Sequence, residues 1–126
     1  MKIRISLVED DFTMRGLLKT LLEIEGFEVL TFDGGGENFI EKMKKFNPHF
    51  ILMDYHLKNS SGLDLLRLLR SEFQSPCPII LMISGENRKD ECLGAGADGF
   101  LLKPFMPDEL IEWLHEREKT IDVQKN

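Results

Sequence analysis

Charged and hydroxyl side chains follow the apolar, strand-like segments of this sequence, at the positions where a sheet would carry chemistry. They are Glu9, Asp10 and Asp11 after the first segment, Asp54 at the end of HFILMD, Ser84 at the end of PIILMIS, and Lys103 after FLL. Ligands of open α/β sheets bind outside the carboxyl ends of the strands. If the segments form one parallel sheet, we expect these side chains to meet at one edge.

Several carboxylates at one sheet edge repel each other unless they are protonated or bridged by a cation. Mg²⁺, or Mn²⁺ in its place, is the natural bridge, because it prefers oxygen ligands and keeps positions open for further oxygens. Lys103 adds a compact positive charge that can pair with Asp54 and later with a phosphoryl oxygen. Ser84 adds a hydroxyl donor. The set therefore indicates a metal-assisted site for phosphoryl groups.

The elements that would position this set alternate between strand-length apolar runs and helix-periodic segments. This alternation is typical of repeated βαβ units and predicts a three-layer, doubly wound α/β fold with a parallel sheet. The predicted strands are KIRISLV, FEVLTF, HFILMD, PIILMIS and FLL. We expect the fourth helix to span about Glu86 to Leu93 and the last to begin near Pro107 and Asp108.

Apolar residues at helical spacing define the inward faces of the helices. The predicted faces are Met14, Leu17, Leu18, Leu21 and Leu22 in the first helix, and Leu63, Leu65, Leu66, Leu68 and Leu69 in the third. Trp113 lies beside the inward stripe of the last helix, so we expect it to be partly buried.

Composition excludes several classes of protein. A net charge of −6 over 126 residues argues against direct binding of nucleic acid, and we expect Lys42, Lys44 and Lys45 to form only a solvated face. The sequence contains neither an apolar run of membrane-spanning length nor the pattern of a signal peptide, so we expect a cytoplasmic protein that does not bind membranes. Cys77 and Cys92 lack metal-ligand spacing and are predicted to be buried thiols.

Four segments resemble, in order and spacing, the motifs of bacterial response regulator receiver domains. They are LVEDDFTMR, FILMD, LMISG and FLLKPF, and the resemblance extends from about Lys2 to Leu114. It implies a flavodoxin-like receiver fold with five parallel strands in the order 2-1-3-4-5. We expect the receiver domain to occupy residues 1–120, with residues 121–126 forming a C-terminal tail or the start of a linker.

The resemblance implies a role for each matching residue. Asp54 is the phosphoacceptor, and the metal ligands are Glu9, Asp10, Asp54 and the backbone carbonyl of His56. The residues that bind the phosphoryl group or switch with it are Ser84, Lys103 and Phe100. Pro104 is expected to follow a cis peptide bond. Asp11 is a rival for the acidic pair, but the spacing to Arg15 favours Glu9 and Asp10 and leaves Asp11 as a helix cap.

Two residues are predicted to modulate the site, and two features depart from the family pattern. His56 and Glu86 each lie two residues past a site residue, so their side chains are expected to hinder or orient the water that hydrolyses the acyl phosphate. Lys58 replaces the proline that is usual in the loop after the phosphoacceptor, and the Gly34–Gly36 turn is slightly long. Neither departure removes a residue that the chemistry needs.

The implied function is a phosphoryl-accepting switch of a two-component phosphorelay. Such a domain is not a turnover enzyme, although it catalyses its own phosphoryl transfer and dephosphorylation. The implied partners are a sensor histidine kinase or a histidine phosphotransfer protein, and a downstream effector or a tethered output domain. The domain is expected to be a monomer or a phosphorylation-dependent dimer.

Three other functions remain open. A degenerate receiver domain would serve as a constitutive interaction module. A metal-dependent aspartyl-phosphate phosphatase would carry its second acid at position 56, where this chain has histidine. A flavin- or nucleotide-binding module of similar fold would place phosphate beside three consecutive acids, whose charges would repel it.

Overall fold

Strands and helices alternate along the whole chain. In this computed structural model, residues 2–74 and 77–125 are described. The strands are β1 Arg4–Val8, β2 Glu28–Phe32, β3 Phe50–Asp54, β4 Ile79–Ser84 and β5 Gly99–Leu102. The helices are α1 Phe12–Ile24, α2 Phe39–Phe46, α3 Gly62–Glu72, α4 Lys89–Gly94 and α5 Pro107–Lys125. All strand pairs are parallel, in the order β2-β1-β3-β4-β5, which confirms the predicted fold.

The central strand β3 is covered on both faces, and all five of its residues are buried. Successive side chains of a strand point to opposite faces of the sheet. Phe50 and Leu52 therefore pack in one core with α1 and α5, whereas Ile51 and Met53 pack in a second core with α2, α3 and α4. Burial of each such side chain contributes about 1.5–3 kcal/mol relative to exposure. This burial explains why a continuous apolar run precedes the acid at the strand end.

Side-chain caps start two helices close behind the strand ends. The carboxylate of Asp11 accepts a hydrogen bond from the Met14 N–H at 2.8 Å, which confirms it as the cap of α1. The hydroxyl of Ser61 accepts from the Asp64 N–H at 3.3 Å and caps α3. Each cap satisfies one of the amides that a helix leaves unpaired at its start.

The predicted start of the fourth helix was wrong. Helix α4 begins at Lys89 rather than Glu86, because the preceding residues form a turn held by local side chains. The N–H of Glu86 donates to the hydroxyl of Ser84 at 3.0 Å, and the N–H of Lys89 donates to the side-chain oxygen of Asn87 at 3.3 Å. The residues between β4 and α4 therefore form a loop that is held to Ser84 at the strand end, and they are not the first turn of the helix.

Three side chains predicted to be buried are exposed. Leu17 and Leu68 are 63% and 40% exposed, because the sheet covers a narrower stripe of each helix than the apolar pattern indicates. Cys77 is exposed in the segment that leads into β4, whereas Cys92 is buried as predicted. Trp113 is partly buried against the first core, as predicted, with its ring 6.3 Å from that of Phe50.

Helix α5 continues past residue 120, the predicted end of the domain. Ile121 is still buried in the core that α1 and α5 form with the sheet. The packed part of the chain therefore includes Ile121, and the division at residue 120 stays a prediction. In the described part of the chain, no helix is both long enough and apolar enough to cross a membrane.

Candidate functional site

Two neighbouring strands bring three carboxylates together. Strands β1 and β3 lie side by side with Val8 paired to Met53, so the next residues, Glu9 and Asp54, emerge at the same edge. Asp10 follows Glu9. Each of Glu9, Asp10 and Asp54 offers a carboxylate oxygen, and these three oxygens lie within 4.8 Å of one another. The sequence expectation that these acids meet at one sheet edge is confirmed.

Lys103 reaches this cluster from the end of β5. Its Nζ lies 3.4 Å from Oδ2 of Asp54 and 3.5 Å from Oε1 of Glu9. Both carboxylates are almost fully buried, while the ammonium group keeps partial contact with solvent. One positive charge therefore faces two buried negative charges, which leaves the cluster with a net negative charge. The peptide bond between Lys103 and Pro104 is cis.

Burial makes the charge of Glu9 costly. Loss of solvent contact raises the pKa of Glu9, and the nearby charge of Asp54 raises it further. The N–H of Asp11 donates to Oε2 of Glu9 at 3.1 Å and lowers this pKa, as does Lys103. The net direction is upward, so the available hydrogen bonds and the ammonium group do not fully compensate the buried charge.

The donor set fits a hard divalent cation. Mg²⁺ prefers oxygen ligands and is commonly held by one or two carboxylates together with water. Three carboxylate oxygens that already lie within 4.8 Å of one another, in a cluster short of positive charge, match this preference. The residues present could therefore hold such an ion without a change of fold.

Ser84 lies between the acids and Lys103 in the order of the strands. It ends β4, the strand between β3 and β5, and it is fully buried. Its Oγ accepts a hydrogen bond from the Glu86 N–H, so the hydroxyl proton is available to another acceptor. Phe100 lies in β5 and packs partly buried against the second core.

The two residues predicted to modulate the site contact each other. Nε2 of His56 lies 2.8 Å from Oε1 of Glu86, and both side chains are about half exposed. His56 belongs to the loop after β3, and Glu86 belongs to the loop after β4. The pair therefore links two loops that border the acidic cluster. The predicted role of the His56 carbonyl stays a prediction.

Sequence reasoning missed a second link, which joins the loop after β3 to helix α4. The hydroxyl of Tyr55 donates a hydrogen bond to the carboxylate of Glu91 in α4. The guanidinium carbon of Arg88 lies 5.5 Å from the centre of the Tyr55 ring, and Arg88 also pairs with Glu86 at 3.3 Å. The hydrogen bond to Glu91 is the largest cause that raises the pKa of Tyr55. The position of Tyr55 beside Asp54 was a signal that sequence reasoning did not use.

A sequence profile described as "Response regulator receiver domain" matches residues 5–115 of this chain. The chain belongs to this family. Among curated proteins, this receiver domain is 38% identical over 114 residues to the cell cycle response regulator CtrA of Brucella ovis. That alignment covers 90% of this chain and 49% of CtrA, so the chain spans about half the length of the curated relatives it matches.

Solved structures give the same family. This receiver domain superposes on the chemotaxis protein CheY4 of Vibrio cholerae with a TM-score of 0.84 and 28% identity, over 92% of this chain and 98% of that one. It also superposes on the response regulator TrrA of Thermotoga maritima with a TM-score of 0.79, 28% identity and the same coverage. That structure is described as a complex with Mg²⁺ and beryllium fluoride.

Proposed function

We propose that this receiver domain accepts a phosphoryl group on Asp54 in a Mg²⁺-dependent reaction and changes its partner contacts as a result. The observation that carries the proposal is the meeting of Glu9, Asp10 and Asp54 at one sheet edge, with Lys103 beside the last of them. The described complex of TrrA with Mg²⁺ and beryllium fluoride supports the same chemistry for a related fold. Glu9, Asp10, Asp54 and the carbonyl of His56 would hold the ion.

Phosphoryl transfer would proceed by in-line displacement at phosphorus. A carboxylate oxygen of Asp54 forms the new bond to phosphorus while the bond from phosphorus to the donor nitrogen of a phosphohistidine breaks. The nitrogen keeps the electron pair of that bond, and a proton on the other ring nitrogen of the histidine allows the group to leave as a neutral imidazole. Mg²⁺, when bound, supplies positive charge to the phosphoryl oxygens. Lys103 provides the second positive charge, because its Nζ already lies 3.4 Å from Asp54.

Ser84 and Phe100 would transmit the change. The dianionic phosphoryl group is a strong acceptor, and the hydroxyl of Ser84 has a proton to donate. A movement of Ser84 toward the phosphoryl group would open space beside β4, into which Phe100 of β5 can turn. The surface of α4, β5 and α5 would then differ between the two states. Phosphorylation biases this equilibrium by the contacts that it adds in one state.

The proposed partners follow from this chemistry. The donor would be a sensor histidine kinase or a histidine phosphotransfer protein, and the recipient of the signal would be an effector or a tethered output domain. The curated relatives are about twice as long as the matched region, which is compatible with a tethered output. The net charge of −6 argues against nucleic acid as the direct partner of the receiver domain.

Phosphorylation by a small donor tests the proposal. We would incubate the purified chain with acetyl phosphate, with Mg²⁺ or with EDTA, and measure intact mass. The expected result is addition of one phosphoryl group in the presence of Mg²⁺ only. Asp54→Asn should abolish the addition, whereas Asp64→Asn, which changes an exposed acid of α3, should leave it unchanged.

Three outcomes would contradict the proposal. Equal phosphorylation of wild type and Asp54→Asn would place the acceptor elsewhere, and equal phosphorylation with EDTA would remove the role of the metal. A chain that accepts no phosphoryl group from acetyl phosphate and binds no beryllium fluoride would instead support a constitutive interaction module.

A further inference from the structure

The acidic cluster has a main-chain contact that is possible because residue 58 is not proline. The backbone N–H of Lys58 donates a hydrogen bond of 2.6 Å to Oδ2 of Asp10. Lys58 lies four residues after Asp54, in the loop between β3 and α3. This bond therefore ties the loop after the proposed phosphoacceptor to the acidic pair after β1. Hydrogen bonds to a carboxylate are shorter and about twice as strong as those between neutral groups.

Apart from this contact, Asp10 is the least constrained of the three acids, because it is the one that is partly exposed. Glu9 is held by the Asp11 N–H and by Lys103, and Asp54 is held by Lys103. Both of these carboxylates are also buried. Asp10 is partly exposed, and among the described residues its carboxylate accepts a hydrogen bond from Lys58 alone. Without that donor, the Asp10 side chain would gain rotational freedom.

The donor exists because residue 58 is not proline. The loop motif that this chain resembles usually has proline at this position, and proline carries no backbone N–H. Lysine, unlike proline, carries this backbone N–H. The Lys58 side chain is exposed and forms no ion pair with the other described residues. The contact with the site is therefore made by the backbone N–H and not by the ammonium group.

We propose that the Lys58 N–H is a positioning group that holds the Asp10 carboxylate in one orientation and thereby strengthens binding of the divalent cation in this chain. The inference rests on the proposed function, because it concerns the affinity of the same site for Mg²⁺. The bond is made to Oδ2, and among the described residues no hydrogen bond to Oδ1 of Asp10 is found, so the carboxylate keeps acceptor capacity for the ion. Removal of a hydrogen bond that orients a metal-ligating carboxylate typically lowers metal affinity about 10- to 100-fold.

Two substitutions at one position separate the backbone from the side chain. Lys58→Pro removes the backbone N–H together with the lysine side chain, whereas Lys58→Ala removes the side chain beyond Cβ and keeps the N–H. We would titrate Mg²⁺ into the chelator-treated chain and measure the dissociation constant by calorimetry. Lys58→Pro should weaken binding about 10-fold or more. Lys58→Ala should bind as tightly as wild type, or slightly more tightly because a positive charge near the ion is lost.

A direct measurement of the hydrogen bond completes the test. Scalar coupling across the bond, between the Lys58 amide nitrogen and the Asp10 carboxyl carbon, is detectable by NMR without the metal. We expect this coupling in wild type and in Lys58→Ala. Asn59→Pro is the matched control, because it introduces a proline ring into the same loop and leaves the Lys58 N–H in place. The coupling should be present in wild type, Lys58→Ala and Asn59→Pro and absent in Lys58→Pro. The three proteins that show it should bind Mg²⁺ more tightly than Lys58→Pro does.

The outcomes that overturn the inference differ from those that overturn the proposed function. Equal Mg²⁺ affinity of Lys58→Pro and Lys58→Ala, with wild type binding normally, overturns the inference alone. An Asn59→Pro variant that retains the coupling but binds as weakly as Lys58→Pro does the same, since the loss would then come from loop distortion. Failure of the wild type to bind Mg²⁺ overturns both.

Discussion

Gly62 lies directly against the main chain of Asp54. A Cβ atom at position 62 would lie 2.2 Å from the carbonyl oxygen of Asp54 and 2.8 Å from the Cα of Tyr55. The N–H of Gly62 also donates to the carbonyl of Tyr55 at 3.0 Å. The first turn of α3 therefore packs onto the end of β3 at a distance that only glycine permits.

Substitution of Gly62 should destabilise the domain for this reason. The methyl group of Gly62→Ala meets rigid backbone, so α3 or the end of β3 must move, at an expected cost of about 1–3 kcal/mol in the free energy of unfolding. Denaturation by urea measures this cost. Gly16→Ala is the matched control, because a Cβ at position 16 of α1 has no atom within 4 Å and should be neutral or stabilising. If the two variants are equally stable, the close approach of Gly62 to Asp54 does not carry the predicted cost.

Arg70 should contribute to stability through a network that joins α3 to the residues just before β4 and just before β5. Its guanidinium donates to the carboxylate of Asp98 at 2.6 Å and to the carbonyls of Pro78 and Gly96. Asp98 also accepts from the Ile80 N–H at 2.8 Å. The Arg70 side chain is 23% exposed, so loss of its hydrogen bonds in Arg70→Met should cost about 1–3 kcal/mol.

Arg67 provides the control for this prediction on the same helix. Its contact with Asp64 is 3.7 Å long, and both side chains are mostly exposed. Arg67→Met should therefore change the free energy of unfolding by less than about 0.5 kcal/mol. If urea denaturation gives equal losses for the two variants, the Arg70 network does not stabilise the fold as argued.

Sequence patterns predicted which residues form the site. They did not predict all the contacts that these residues make. Glu9 and Asp54 were predictable as neighbours, because each follows an apolar run and parallel strands end at one edge. The Lys58 N–H was not, because every residue except proline carries this donor and its partner lies 48 residues away. Leu17 fitted the apolar period of α1, yet the period alone could not give the width of the stripe that the sheet covers.

Tyr55 should ionise at higher pH than an ordinary tyrosine, and Glu91 should be the cause. The hydrogen bond from the phenol to the Glu91 carboxylate stabilises the neutral form, and the carboxylate charge opposes ionisation, so both raise the pKa. Tyr55 is the only tyrosine of the chain, so tyrosinate absorbance reports it directly. Glu91→Gln should lower this pKa towards its ordinary value, whereas Asp90→Asn should leave it unchanged.

The same contact has a defined effect on the pH dependence of stability. Because the pKa of Tyr55 is raised in the folded state, the contribution of the Glu91 contact is fully present below the ordinary pKa of tyrosine. It is lost as the pH rises through the raised value. The difference in unfolding free energy between wild type and Glu91→Gln should therefore shrink in strongly alkaline solution. A difference that grows with pH in this range would contradict the assignment.

The contact between His56 and Glu86 should control access of water to the phosphoryl group. The two side chains meet across the loops after β3 and β4, at the edge where Asp54 ends its strand. Removal of either side chain opens this edge, so His56→Ala and Glu86→Ala should each accelerate dephosphorylation several-fold, and the double variant should add little. Loss of label from the phosphorylated chain after removal of the donor measures the rate. His115→Ala is the control, because His115 is exposed on α5 and contacts Glu25 near the end of α1. Unchanged rates in both site variants would show that the pair does not limit the approach of water.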